Sequence, residues 1–336
     1  GVQTCALPIS PINPDEVDFE RVLTGAALDS SKDYYVHRFY KGEGFSLDME
    51  ARDVTLSVHT TADHLAELIE LATVWNGPMS ISIFAPGADA AFTDDAIDGM
   101  RLCWPVLRDT VNFHLIYPKE KPANMSTAGS FAYLPCKDIT RRLMTYKSVT
   151  QTDFAAGSNG NYQMSNSIMY PHNLMRNVAR QGVLTEFVIS IDLGMIPSPN
   201  LRRSFVKFAA KNSLFMSNQT AQSSILQKSK RSIYVIPIFE IRSEIEPFTS
   251  KAALVSAVEI KNARPFMSET CWFCQKATDY ERWEKLSDNS GSHSITGSAT
   301  NYDVDVAYFW GVYVDFDKSL FRLDSLFKNL DQKTPF

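Results

Sequence analysis

Apolar positions change period several times along the chain, and each change marks an element. Asp53-Val-Thr-Leu-Ser-Val-His-Thr60 has the β-branched content of a strand. Leu65, Leu68, Ile69, Ala72 and Trp75 then fall on one face of a helix that Thr61 is placed to cap. Asn76-Gly-Pro78 stops that helix. Met79-Ser-Ile-Ser-Ile-Phe84 reads as a second strand, residues 89–102 as a helix, and Val111-Asn-Phe-His-Leu-Ile-Tyr117 as a third strand. This β-α-β-α-β rhythm predicts an α/β fold, a mainly parallel sheet with helices on both faces and right-handed connections.

The rhythm breaks at about 118–169, where Ser148 to Ser167 is rich in Ser, Asn, Gly and Gln and reads as a long, partly disordered surface insertion. It resumes with a helix over Asn173–Arg180, preceded by Pro171, and a strand over Leu184–Ile191 that ends at Asp192. Further elements are a helix over 199–216, a strand over Ser232–Phe239 and a helix over 250–261; the polar stretch 287–300 reads as a loop. Residues 10–52 carry many charges and few periodic apolar positions, so they read as an irregular lead-in to a domain over 53–336. There is no internal repeat.

Composition narrows the class. With 336 residues, 44% of them hydrophobic and 12% aromatic, the chain can build one large domain or two small ones. The net charge of -5 comes without any Lys/Arg run, so nucleic acid is not an expected partner. No apolar run has the length of a membrane span, so any membrane attachment is expected through an anchor absent from this chain. Gly1–Ile9, GVQTCALPI, resembles a translated sequencing adaptor and is set aside as an artefact together with Cys5. The remaining cysteines are Cys103, Cys136, Cys271 and Cys274, an even number that allows disulfides. Asn124-Met-Ser126 and Asn218-Gln-Thr220 are glycosylation sequons that fit a secretory protein.

Several residue groups carry candidate chemistry. Asp192 stands at the carboxyl edge of the sheet, where open α/β folds bind ligands; an Asp there serves equally as a loop or capping residue. Asn173, Arg176 and Asn177 share a helix face, with a guanidinium whose fork suits phosphate; the plainer reading is a solvated face. His59 and Thr60 end the first strand. Glu240 and Arg242 follow an apolar strand and either pair with each other or face an acceptor. Cys271-Trp-Phe-Cys274 lacks the two further ligands a zinc site needs, so a thiol pair or disulfide is favoured. No G-x-G-x-x-G follows the first strand, and Gly42-Glu-Gly44 precedes it, which disfavours a dinucleotide dehydrogenase.

The order of several blocks resembles the dystroglycan-type glycosyltransferases, the β-1,4-glucuronyltransferase group. The blocks are Asp53-Val-Thr-Leu with Trp75-Asn-Gly-Pro78, Tyr170-Pro-His-Asn-Leu-Met-Arg-Asn-Val-Ala-Arg180, Asp192-Leu-Gly-Met-Ile-Pro-Ser198, Val235-Ile-Pro-Ile-Phe-Glu-Ile-Arg242, and Arg264-Pro-Phe266 with Cys271, Cys274-Gln275, Tyr280 and Arg282-Trp283. The resemblance implies a GT-A-like fold, a UDP-sugar donor, a glycan or glycoprotein acceptor, a divalent metal (Mn2+ or Mg2+), and a membrane-anchored Golgi parent of type II topology. It places His59, Thr60, Asn173, Arg176, Asn177 and Asp192 at the nucleotide sugar, Asp192 on the metal, and Glu240 and Arg242 toward the acceptor. No catalytic residue is assigned. Three departures accompany it. Gly194 stands at the second acid of the Asp-x-Asp motif, Ala307 stands where a Glu is expected, and the chain stops before a histidine-bearing segment, as a C-terminally truncated fragment would. They imply weak metal binding and low transfer activity, with a non-catalytic nucleotide-, glycan- or partner-binding relative as the alternative.

Overall fold

The computed structural model describes residues 24–42, 52–125, 131–148, 169–212, 214–215, 231–242, 244–275, 278–285, 294–296, 304–308 and 312–315. Gly1–Ile9, Asn218 and, within the expected surface insertion, residues 126–130 and 149–168 lie outside them. The first elements are β1 (Ala27–Leu28), β2 (Tyr34–Lys41), β3 (Val54–Thr61), α1 (Glu67–Trp75), β4 (Met79–Phe84), α2 (Asp89–Cys103), α3 (Pro105–Thr110) and β5 (Val111–Pro118). They are followed by α4 (Cys136–Thr145), α5 (His172–Gln181), β6 (Phe187–Ser190), β7 (Met195–Pro197), α6 (Leu201–Lys211), β8 (Arg231–Val235) and β9 (Ile238–Ile241). The chain continues through α7 (Lys251–Glu259), β10 (Ala263–Pro265), α8 (Trp272–Gln275), α9 (Tyr280–Lys285), β11 (Ser294–Thr296), β12 (Val304–Tyr308) and β13 (Val312–Asp315).

The central sheet has the order β1-β2-β5-β4-β3-β6. β5, β4, β3 and β6 are mutually parallel, as expected, and β2 closes one side antiparallel to β5. The chain therefore steps from β3 through β4 to β5 in one direction and returns to place β6 on the other flank of β3. Strand order reverses between β3 and β6, and the carboxyl edge of such a reversal is where open α/β sheets bind ligands.

The two faces of this sheet differ in chemistry. Side chains alternate along each strand, and parallel partners share a face. Val54, Leu56 and Val58 of β3, Met79, Ile81 and Ile83 of β4, and Val111, Phe113 and Leu115 of β5 form an apolar face packed on α1, α2 and α3. The opposite face carries Ser57 and His59, Ser80 and Ser82, and Asn112 and His114 in register. It is buried beneath α5. Hydroxyls on a buried face must be bonded, and here the helix backbone accepts them. Ser82 Oγ donates to the Met175 carbonyl at 2.8 Å, and Ser80 Oγ donates to the Ala179 carbonyl at 2.5 Å. A carbonyl has two lone pairs, so each accepts a serine without leaving its helix.

His114 completes this network. The Phe39 N–H donates to His114 Nδ1 at 2.8 Å, and Phe39 holds φ 52 at the bulge of β2, which turns that N–H inward. The ring proton is thereby assigned to Nε2, which reaches Ser80 Oγ at 2.9 Å. The small side chains let α5 sit close to the sheet. A Cβ on Gly182, the residue capping α5, would meet His114 Nε2 at 2.1 Å and Ser80 Oγ at 2.5 Å.

Three sequence expectations are corrected. Residues 34–41, placed in the irregular lead-in, form β2; the aromatic and charged side chains of this strand suit its place near the sheet margin, with only Val36 buried among them. Residues 131–148, placed in the insertion, include α4, which is tied to α2 by a disulfide between Cys103 and Cys136. Phe92 stacks on Tyr146 with ring centroids 3.4 Å apart, and Tyr146 and Ser148 hydroxyls both donate to Asp89 at 2.7 and 2.5 Å. The strand expected over 232–239 is split, because Pro237 has no N–H to donate. Its halves enter different sheets, β11-β12-β8 and β10-β9-β13-β7.

Burial, with the Arg38 charge second, lowers the His114 pKa from 6.5 to about 4. His172 is lowered to about 4 for the same first reason, then by His59 and Arg176. The unfolded chain takes these protons near pH 6.5 while the native state refuses them, so stability falls as pH drops from 6.5 toward 4 and is flat above that window. Each pH unit in the window costs up to about 1.4 kcal/mol for the buried His114, and less for the half-buried His172, whose contact with solvent screens the effect. Urea midpoints measured across this range should show the decline, and His114→Asn should flatten it while lowering stability at pH 8. Gly182→Ala should cost about 1–3 kcal/mol by overpacking; an unchanged melting temperature would contradict the close approach of α5.

Candidate active site at the carboxyl edge

α5 runs antiparallel to the strands it covers, so its first turns lie at the carboxyl edge, above the strand reversal between β3 and β6. Asp192 follows the end of β6, which is held to β3 by the Ile191 N–H donating to the Ser57 carbonyl at 3.2 Å. This brings three sequence-predicted residues together. His59 Nε2 and Arg176 Nη2 each lie 3.4 Å from Asp192 Oδ1. The Arg176 contact is a long hydrogen bond. The His59 contact is close enough for charge attraction, but Nε2 is buried and makes no hydrogen bond.

Two residues join them that sequence reasoning had quoted only as part of a matching block. The Tyr170 hydroxyl lies 2.7 Å from His59 Nδ1. Burial, reinforced by Asp192, pushes the Tyr170 pKa up, so the phenol stays protonated. A lone pair on His59 Nε2 would repel the Asp192 oxygen facing it, whereas an N–H is attracted to it. The ring proton is therefore assigned to Nε2, and Tyr170 donates to Nδ1. His172 packs edge-on against both rings, at 4.7 Å from Tyr170 and 6.1 Å from His59. The signal in the sequence was an aromatic and a histidine flanking Pro171, immediately before a helix that begins at the ligand edge of the sheet.

The other predicted residues are placed differently. Asn173 and Asn177 are exposed on α5, one turn apart. Thr60 is buried, and its hydroxyl donates to the Thr61 carbonyl at 3.2 Å, so it is not presented to a ligand at this edge. Strand alternation sends it to the opposite face from His59. Glu240 pairs with Arg264 rather than Arg242, and also accepts from the Met267 N–H at 3.1 Å. At 2% exposure, with both oxygens engaged, it holds β9 to β10 and does not face an acceptor. Arg242 is exposed and 3.9 Å from Glu244. Cys271 is disulfide-bonded, in line with the non-zinc reading of its motif.

The divalent metal implied by resemblance would need several oxygen ligands gathered at this edge. Among the described residues, no three His, Cys, Asp or Glu side chains gather into a cage. A second acid at this edge, Asp63, accepts from Thr61 at 2.5 Å and lies 3.5 Å from His64. Gly194 has φ 86, a left-handed conformation that side chains other than glycine's rarely adopt. The residues described do not fit a dication.

A cavity of about 320 Å3 lies at the opposite, amino edge, lined by Trp75, Asn76, Ser198 and Arg202 among others. Arg202 there is paired with Asp53 at 3.0 Å and with the Asn76 carbonyl at 2.7 Å, which ties α6 to β3 and α1. The polar groups converge at the carboxyl edge, and the candidate site is assigned there.

Residues 53–314 match the profile of a family described as glycosyl-transferase for dystroglycan. The chain is 30% identical over 273 residues to beta-1,4-glucuronyltransferase 1 of Danio rerio, covering 80% of this chain and 59% of that protein. It is 31% identical over 291 residues to beta-1,4-glucuronyltransferase 1 of Homo sapiens, covering 84% and 63%. A Dictyostelium discoideum glycosyltransferase-like protein, gnt14, is 23% identical over 234 residues, 68% of this chain and 27% of that one. The chain thus spans about three fifths of the length of the glucuronyltransferases it matches. A match over that span of the chain, on a mostly parallel α/β sheet, shows that the chain belongs to the family of glycosyl-transferases for dystroglycan.

Proposed function

We propose that this chain transfers a sugar from a UDP-sugar to a glycan acceptor, and that the donor's diphosphate lies at His59, Arg176 and Asp192. The observation that supports this most is the Arg176 guanidinium, held at the strand reversal beside the Asp192 carboxylate and 41% exposed. A planar fork with several N–H groups suits paired phosphate oxygens. His59 contributes a ring N–H, and Asn173 and Asn177 offer amides on the same helix. Asp192 is then free of a dication role and is suited to accept hydroxyls of the ribose or the sugar. The relatives' names point to glucuronic acid as the transferred sugar. The disulfide between Cys103 and Cys136 and the sequon at Asn124 support folding in the secretory pathway, in the Golgi lumen by family habit. Among the described residues, no helix is long and apolar enough to cross a membrane.

A second reading has its own support. The residue two places after Asp192 is Gly194, at φ 86, in place of the second acid of the Asp-x-Asp pattern, which favours a relative that binds the donor and turns over slowly.

The chain should bind UDP, and Arg176→Ala should weaken UDP about ten- to a hundredfold while changing uridine little, as expected for one charged phosphate contact. Equal losses for UDP and uridine would mean that Arg176 does not read phosphate. With UDP-glucuronic acid and a panel of glycan acceptors, release of UDP supports transfer; donor binding without release supports the slow or non-catalytic reading.

A further inference from the structure

The carboxyl edge at the strand reversal is richer in donors than in acceptors. Arg176 touches Asp192 through one nitrogen at 3.4 Å, and its side chain is 41% exposed. A guanidinium carries five N–H donors, so most of this one is available to a ligand. His59 Nε2 is buried and makes no hydrogen bond. α5 begins at Pro171 without a side-chain cap; the His172 N–H donates to the Tyr170 carbonyl at 3.0 Å, and the next N–H groups of the first turn point toward the same edge. The positive end of that helix favours an anion there.

The acceptor side is sparse. Asp192 already lies between a guanidinium and a ring N–H, so its charge is largely balanced. A dication bound to its Oδ1 would sit close to the Arg176 charge, and like charges at that separation repel strongly in a half-buried site. A hard dication also seeks several oxygen ligands at once. Gly194 supplies none, and the Asp63 carboxylate is engaged by Thr61 and His64.

We propose that this chain binds a nucleoside diphosphate without a divalent cation, with the Arg176 guanidinium in the place of the metal and His59 Nε2–H as a second donor. The proposal rests on the donor-site reading above and adds the source of positive charge. Asp192 then serves to orient Arg176 and His59, and Tyr170 serves to keep the His59 proton on Nε2. Both are positioning residues.

Calorimetry of the full chain with UDP, once in EDTA and once in manganese chloride, tests this. The affinities should agree within about threefold, because no ligand set gains from the metal. Arg176→Lys keeps the charge but loses the fork, and should weaken UDP in EDTA by about three- to tenfold, less than Arg176→Ala. His59→Phe keeps a ring against Tyr170 and His172 but removes the donor, and should weaken UDP in EDTA by about three- to tenfold. Melting curves in EDTA show whether each variant is folded, and Arg176→Lys, the gentler change, carries the argument if Arg176→Ala melts early. UDP binding that appears only with manganese overturns the metal-free proposal and leaves the donor-site reading intact. Binding in EDTA that is indifferent to both Arg176→Lys and His59→Phe overturns the proposal as well. Absence of UDP binding in both buffers removes the donor-site reading and the proposal together.

Discussion

Two serine hydroxyls under one helix hold the structure that matters here. Ser80 and Ser82 donate to carbonyls of α5, and His114 in turn supports Ser80. A sheet face lined with serine, histidine and asparagine is costly to bury against an apolar helix. Against helix carbonyls it becomes a docking surface with a fixed register. Each such bond contributes only about 1 kcal/mol net, but leaving a hydroxyl buried without its acceptor costs about 1–3 kcal/mol. A sliding helix would break both bonds together, so the axial position of α5 is strongly specified. Gly182 sets the approach distance by having no Cβ to place against His114.

That register places chemistry. Arg176 follows Met175, the residue whose carbonyl accepts from Ser82, so the serine bond fixes the guanidinium over the end of β6. The reversal of strand order between β3 and β6 brings His59 and Asp192 to the same point from separate strands. Tyr170 and His172, at the head of α5, close the ring around His59. The result is a partly buried carboxylate with two donors against it, a balance of charge suited to receiving an anion.

Much of the fold was legible in the sequence. Met79-Ser-Ile-Ser-Ile-Phe84 alternates cleanly, and β4 has the same bounds as the expected strand. The helix over 173–180 and Asp192 at a strand end were legible for the same reason, since periodicity and Asp placement are local signals. What could not be read was tertiary. Alternation shows that Ser80 and Ser82 share a face, but not that a helix backbone would cover it. Glu240 and Arg242 are close in sequence, yet Arg264 from the neighbouring strand takes the Glu240 carboxylate. The charges of Tyr34–Lys41 hid a strand whose polar side chains suit a place near the sheet margin. The interior proline at 237 was a visible break signal, and it was outweighed by the apolar run around it.

The central claim is that the serine-docked helix positions the anion-binding arginine. A double-mutant cycle on UDP affinity, using Ser82→Ala, Arg176→Ala and the pair, measures it. If Ser82 acts through Arg176, Ser82→Ala should weaken UDP in the parent and do little once Arg176 is gone, giving a coupling above about 0.5 kcal/mol. Additive losses would contradict the account, because Ser82 would then support the fold without positioning the site.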